Sequence, residues 1–295
     1  MDGDRVPLND RALSRRTAML ASGSGIGVGI ALAAGPVQAQ HQVTTNSEGL
    51  VAGPVWISTA DGRPMPGYRA MPASGTGFGT ILVVQEVFGV HAYIADICRR
   101  LAKAGYYAIA PEVYFRQGDP RYYTDIPSLL KEVVSKVPDE QVMKDLDSSV
   151  AFATGEGKAD TAKLAITGFC WGGRIVWLYD AHNPAVKAGV AWYGRVVGDG
   201  TPMTPKHPID VVDQLHGPVQ GLYGGADAGI PNDSVEKMRE ALKKSSNQAA
   251  LKSTIKTYPD TPHGFNADYR PTYRKEQAED GWKLALAWFK ANGVG

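Results

Sequence analysis

The chain has 295 residues, 31 Lys and Arg against 30 Asp and Glu, and a net charge of +1. A balance this even gives no basic surface for nucleic acid and none for an anionic membrane. Only two cysteines occur, so a disulfide framework is excluded as the basis of the fold.

Residues 1–39 read as an address. Arg15 and Arg16 stand before a Gly/Ala-rich apolar run from Ala18 to Ala34, and Val37-Gln38-Ala39 ends it as a small-x-small cleavage site. This is the pattern of a Tat-type export signal, with the export machinery as its partner, and it places the mature protein in the periplasm or outside the cell. The run is short and soft for a spanning helix, so stable membrane association after cleavage is not expected. Residues 40–49 are polar and read as a loose tail. Residues 50–295 suit one domain.

Val51 to Ile57 and Arg69 to Met71 predict short edge strands, with turns at Asp61-Gly62 and Met65-Pro66-Gly67. Thr80 to Gln85 is a continuous apolar run, as in a strand buried on both faces. A helix follows over about 92–104 and carries Cys98, expected as a small core residue. Tyr107 to Ala110 is the next strand, and a polar loop with Tyr114, Arg116 and Tyr122 comes after it. Helical segments follow over 127–137 and 139–154. Strands are expected at 164–166, 187–192, 219–223 and 252–258, and helices at 232–244 and 273–291. Strands alternating with helices predict an α/β fold with a mainly parallel central sheet and helices on both faces.

The stretch Gly168-Phe169-Cys170-Trp171-Gly172-Gly173 joins an apolar strand to an apolar helix. It is a nucleophile elbow, G-x-S-x-G, with Cys in place of Ser. A thiol needs deprotonation, which a His held by a carboxylate supplies. Asp227 and His263 follow the elbow in the nucleophile–acid–base order of α/β-hydrolases, each just after a predicted strand. Asp260 is the rival acid. Glu86 and Arg116 also fall just after predicted strands, so all five polar groups should share the crevice at the strands' carboxyl ends. The backbone N–H groups of Trp171 and Val87 stand where an oxyanion hole is expected. Glu86, at the end of a buried strand, needs a partner. It is either a salt bridge to Arg174 or Arg116, or a contact to the thiol that controls its ionisation. Trp171, Trp192, Tyr193 and Phe265 are equally open to pocket and core.

These motifs, together with Val84-Gln85-Glu86-Val87-Phe88-Gly89, Ala110-Pro111-Glu112-Val113-Tyr114, Gly224-Gly225-Ala226-Asp227 and His263-Gly264-Phe265, make the chain resemble the dienelactone hydrolase (carboxymethylenebutenolidase-like) family over about residues 50–292. The resemblance implies an α/β-hydrolase fold and carboxylic-ester hydrolysis, with no cofactor and no metal. It implies Cys170 as nucleophile, His263 as base, Asp227 as orienting acid and Glu86 as the group that couples substrate binding to thiolate formation. It also implies Arg116 as a substrate-carboxylate arginine. The family's second arginine, four residues past the histidine, is here Ala267, and Arg270 is the nearest candidate. The expected activity is hydrolysis of a small ester or lactone through an acyl-enzyme. A general carboxylesterase or peptidase on the same fold, or an exported non-catalytic protein that binds a small carboxylate, are the alternatives.

Overall fold

The computed structural model describes residues 43–295. The expected export signal lies outside the described residues. Among the described residues, eight strands form one sheet in the order β1-β2-β4-β3-β5-β6-β7-β8. They are β1 (Leu50–Ser58), β2 (Pro64–Pro72), β3 (Phe78–Val84), β4 (Tyr107–Pro111), β5 (Ala159–Phe169), β6 (Val186–Trp192), β7 (Val219–Gly224) and β8 (Thr254–Tyr258). Pairings β1–β2 and β2–β4 are antiparallel, and all the others are parallel. β4 and β7 are buried along their whole length, and β3 and β6 nearly so. Such strands read as unbroken apolar runs because helices cover both faces of the sheet.

The helices are α1 (Ala92–Lys103), α2 (Ile126–Glu132), α3 (Asp139–Gly155), α4 (Trp171–His182), α5 (Asn232–Lys244), α6 (Gln248–Lys252) and α7 (Lys275–Ala291). Cys98 is fully buried on α1, and both cysteines are free thiols.

Two regions differ from the sequence reading. Met65-Pro66-Gly67 is no turn. It lies within β2, which pairs with β1 on one side and β4 on the other, so β2 is not an edge strand. Pro66 has no N–H to give, but its carbonyl still accepts the Glu112 N–H at 2.8 Å. Residues 43–48 are not loose. The Thr45 N–H donates to Asp96 at 2.6 Å, Arg99 returns a bond to Thr45 O at 2.8 Å, and Lys103 donates to Asn46 at 2.9 Å. Polar composition hid this strap, because its partners are charged side chains on α1 rather than apolar ones.

Candidate active site

Gly168, Cys170 and Gly172 form the junction between β5 and α4. A Cβ on Gly168 would meet Gly172 O at 2.3 Å, and one on Gly172 would meet the carbonyls of Val84 and Gln85 at 2.5 Å. Only glycine allows α4 to start this close to β3 and β5. Cys170 itself has φ 56° and ψ −115°, a conformation that L residues rarely hold. Its N–H donates to Trp192 O and its carbonyl accepts the Gly173 N–H, each at 3.0 Å, which offsets that strain. The side chain is thereby held above the ends of the strands, with 3 % of the residue exposed. Trp171 opens α4, so its N–H belongs to the first turn, whose amides have no partner within the helix.

His263 lies after β8, in a loop turned by Gly264 at φ 71°. Its Nδ1 is 2.6 Å from Asp227 Oδ2. The other carboxylate oxygen, Oδ1, accepts the N–H groups of Gly229 and Ile230 at 2.8 and 3.1 Å, so Asp227 cannot swing away. The rival Asp260 is exposed. Nε2 of His263 is buried and meets no partner at full hydrogen-bond geometry. The Cys170 sulfur is nonetheless near enough to act on the ring. Burial alone would push the His263 pKa down, but the sulfur and Asp227 outweigh it and raise it from 6.5 to about 10. Tyr193, fully buried at φ 37°, covers the histidine with its ring edge-on at 5.0 Å between centroids.

Glu86 follows β3 and is fully buried, but it does not reach for the thiol. Tyr269 donates its hydroxyl to Oε2 at 2.5 Å, and Arg270 Nη2 donates to Oε1 at 3.1 Å. His91 Nε2 is 3.3 Å from Oε2. Burial pushes the Glu86 pKa up, yet Arg270, His91 and Tyr269 together bring it down from 4.5 to about 2. The glutamate is therefore ionised and matched by a buried cation. Arg270 also donates from Nε to Tyr269 Oη at 3.0 Å and lies over the Phe88 ring at 5.1 Å. The sulfur of Cys170 is among the groups that raise the Arg270 pKa, so this guanidinium is within electrostatic reach of the elbow.

Glu86 and Arg270, expected as two separate functional residues, thus form one ion pair. The partners considered for Glu86 are engaged elsewhere. Arg174 binds both oxygens of Asp139 at 2.7 Å. Arg116 donates to Asp61 through Nε at 2.9 Å and through Nη2 at 3.0 Å, and to buried Asp145 through Nη1 at 2.7 Å. Its guanidinium is turned to two carboxylates of the protein, which departs from the expectation of a substrate contact. Loop 112–123 carries it past the strand ends to the β1–β2 turn.

Tyr269 and His91 were missed in the sequence. Each lies a few residues beyond a recognised motif. No periodicity marks them, because a loop places them. Trp192 and Phe265 are fully buried and pack with Phe169, Tyr193 and Tyr258, which makes them core. Trp171 meets Tyr114 edge-on at 4.9 Å, closer to the elbow.

Comparison with known proteins agrees with this architecture. The sequence profile of the dienelactone hydrolase family matches residues 65–293. A protein of Methylorubrum extorquens named "Putative carboxymethylenebutenolidase" is 58 % identical over 282 residues, covering 96 % of this chain and 94 % of its own. One of the same name from Escherichia coli K12 is 53 % identical over 252 residues, covering 85 % and 91 %. Among solved structures, a "Putative Dienelactone Hydrolase" of Klebsiella pneumoniae superposes with a TM-score of 0.78 at 53 % identity, covering 82 % of this chain and 98 % of that one. The chain belongs to the dienelactone hydrolase family of α/β-hydrolases and is a carboxylic-ester hydrolase.

Proposed function

We propose that the protein hydrolyses a small ester or lactone through an acyl-enzyme on Cys170, with His263 and Asp227 completing the triad. The observation that carries this reading is the Asp227–His263 pair at 2.6 Å, whose ring is driven into its charged form beside the Cys170 sulfur. The thiolate attacks the carbonyl carbon, and the Trp171 and Val87 amides receive the oxyanion. His263 protonates the leaving alkoxide, which in a lactone stays attached to the acyl group. The now neutral ring then takes a proton from water, which attacks the thioester and releases the acid.

Arg270 is the substrate-facing cation in this reading, and Arg116 is the weaker candidate. A substrate carboxylate arriving at Arg270 competes with Glu86 for the guanidinium. The displaced glutamate is then free to act on the elbow, which is how substrate binding would be felt at the thiol. The names of the high-identity relatives favour a dienelactone-like substrate. Twin arginines and the cleavage pattern in residues 1–39 add an exported location to the reading.

The test is turnover of a dienelactone, simple lactones and short aryl esters by wild type and Cys170→Ala. Turnover by wild type alone supports the reading, and a mutant equal to wild type contradicts it. N-terminal sequencing of the protein recovered from a periplasmic fraction tests the location. A start close to Gln40 is expected, and an intact Met1 in the cytosol would contradict export.

A further inference from the structure

The loop leaving β3 carries Glu86, the oxyanion donor Val87 and His91. It turns at Gly89, whose φ is 76°, and an isolated antiparallel bridge joins Glu86 to Gly89. The group that holds this turn from behind is Glu112, which directly follows β4. Its Oε2 accepts the Val90 N–H at 2.7 Å. It also packs so closely against Gly89 that a Cβ there would meet Oε2 at 2.7 Å and Oε1 at 3.0 Å. The Glu112 backbone is itself fixed, through its N–H on Pro66 O at 2.8 Å.

Burial raises the Glu112 pKa, and Arg121 is the least of the influences that oppose it. Gln85, which immediately precedes Glu86, reaches both Glu112 and Tyr114 and eases the ionisation of each. Tyr114 is fully buried, and its hydroxyl lies within electrostatic reach of the Cys170 sulfur. Glu112, Gln85, Tyr114 and Cys170 are thus neighbours in that order. Along this run, Glu112 Oε1, both amide atoms of Gln85 and the Tyr114 hydroxyl are buried without a partner at full hydrogen-bond geometry.

We propose that Glu112 is a positioning residue for hydrolysis: it holds the Val90 amide and the underside of Gly89 so that the Val87 N–H stays aimed at the carbonyl oxygen. This rests on the reading of Val87 as an oxyanion donor. A loosened loop mis-aims the donor without touching the thiol or its histidine. The signature is a loss in kcat with KM and thiol reactivity preserved.

The experiment measures kcat and KM on a short aryl ester, together with the rate of Cys170 alkylation by iodoacetamide, for wild type and three variants. Glu112→Gln keeps an acceptor for Val90 and a group for Gln85, and should stay within about threefold of wild type in kcat. Glu112→Ala should lose roughly 10- to 10²-fold, at or below the effect of deleting one oxyanion-hole donor. Its alkylation rate should be unchanged. Glu112→Asp keeps the carboxyl but withdraws it by one methylene, and should lie between the two. It also serves as the informative variant if Glu112→Ala does not fold. The proposal is overturned if Glu112→Ala, or Glu112→Asp in its place, matches wild type. It is overturned equally if kcat and alkylation fall together, or if Glu112→Gln is as poor as Glu112→Ala. A wild type that turns over no ester but alkylates normally overturns the hydrolase reading, and this inference with it.

Discussion

Asp227 and Glu86 are both buried carboxylates just beyond the carboxyl end of a strand, and each has a histidine beside it, at 2.6 and 3.3 Å. Their surroundings then diverge. The second oxygen of Asp227 is held by the backbone amides of Gly229 and Ile230. No guanidinium or ammonium pairs with Asp227 among the described residues, so its charge acts through the His263 ring toward the sulfur. Glu86 has a guanidinium and a phenol on its carboxylate, and its charge is answered locally by Arg270. Burial of a carboxylate therefore does not tell what it does. The partner on its other oxygen decides whether its charge is passed on or cancelled. On one side of the site the carboxylate bears on a histidine beside Cys170, and on the other it holds a buried cation.

The largest expected effects fall on the Asp227 side. Cys170→Ala should cut ester turnover by about 10⁴-fold or more, and His263→Ala by a similar factor, because members of such a unit do not act additively. Asp227→Asn should cost roughly 10²- to 10⁴-fold in kcat, measured on the same ester, with the melting temperature little changed. A triple variant only as slow as Cys170→Ala would sharpen the comparison, and strictly additive losses would break it.

On the Glu86 side the expected loss is mainly in stability. Removing one member of a buried ion pair leaves an uncompensated charge, so Arg270→Met should destabilise by about 3–5 kcal/mol in denaturant unfolding. Glu86→Gln/Arg270→Met together should be less destabilised than the two single effects summed. Additive effects would show that Glu86 and Arg270 do not act as a pair.

The two sides also differ in the sign of their pH dependence. Glu86 has a folded pKa depressed from 4.5 to about 2. Its stabilising contribution is present above about pH 4.5 and is lost as pH falls toward 2. His263 has a folded pKa raised from 6.5 to about 10. Its contribution is complete below about pH 6.5 and is lost as pH rises through 10. Unfolding midpoints measured across pH should therefore lose their acid limb in Glu86→Gln and their alkaline limb in His263→Ala. Exchange of the two limbs would contradict the assignment.

The smallest effect is expected at Arg116. Its ion pair with Asp61 is largely exposed, but Arg116→Ala leaves Asp145, 1 % exposed, without its cation. A loss of about 1–3 kcal/mol in stability is expected, with KM for a carboxylated lactone unchanged. A KM that rises at least tenfold with stability intact would restore Arg116 as a substrate contact.

Much of this was legible in the sequence. The glycines of Gly168-Phe169-Cys170-Trp171-Gly172 reveal the elbow because backbone contact there forbids any side chain. The apolar runs of β3 and β5 to β7 reveal a covered sheet because period and burial are local properties. The positions of Cys170, Asp227 and His263 follow from chain order and strand ends. What was not legible is how long side chains choose among neighbours that loops deliver. Arg116, Arg174 and Arg270 are equivalent as letters, and only the fold shows that Asp145 engages Arg116, Asp139 engages Arg174 and Glu86 takes Arg270. Tyr269 and the strap at 43–48 were hidden for the same reason, since their partners are distant in sequence and polar.

The most direct test of the account is mass spectrometry of the protein quenched during turnover of an activated aryl ester. An acyl group is expected on the peptide carrying Cys170, absent in Cys170→Ala. In wild type it should decay at the rate of steady-state hydrolysis if deacylation limits turnover. Turnover with the acyl group on any other residue, or turnover that persists in Cys170→Ala, would contradict it.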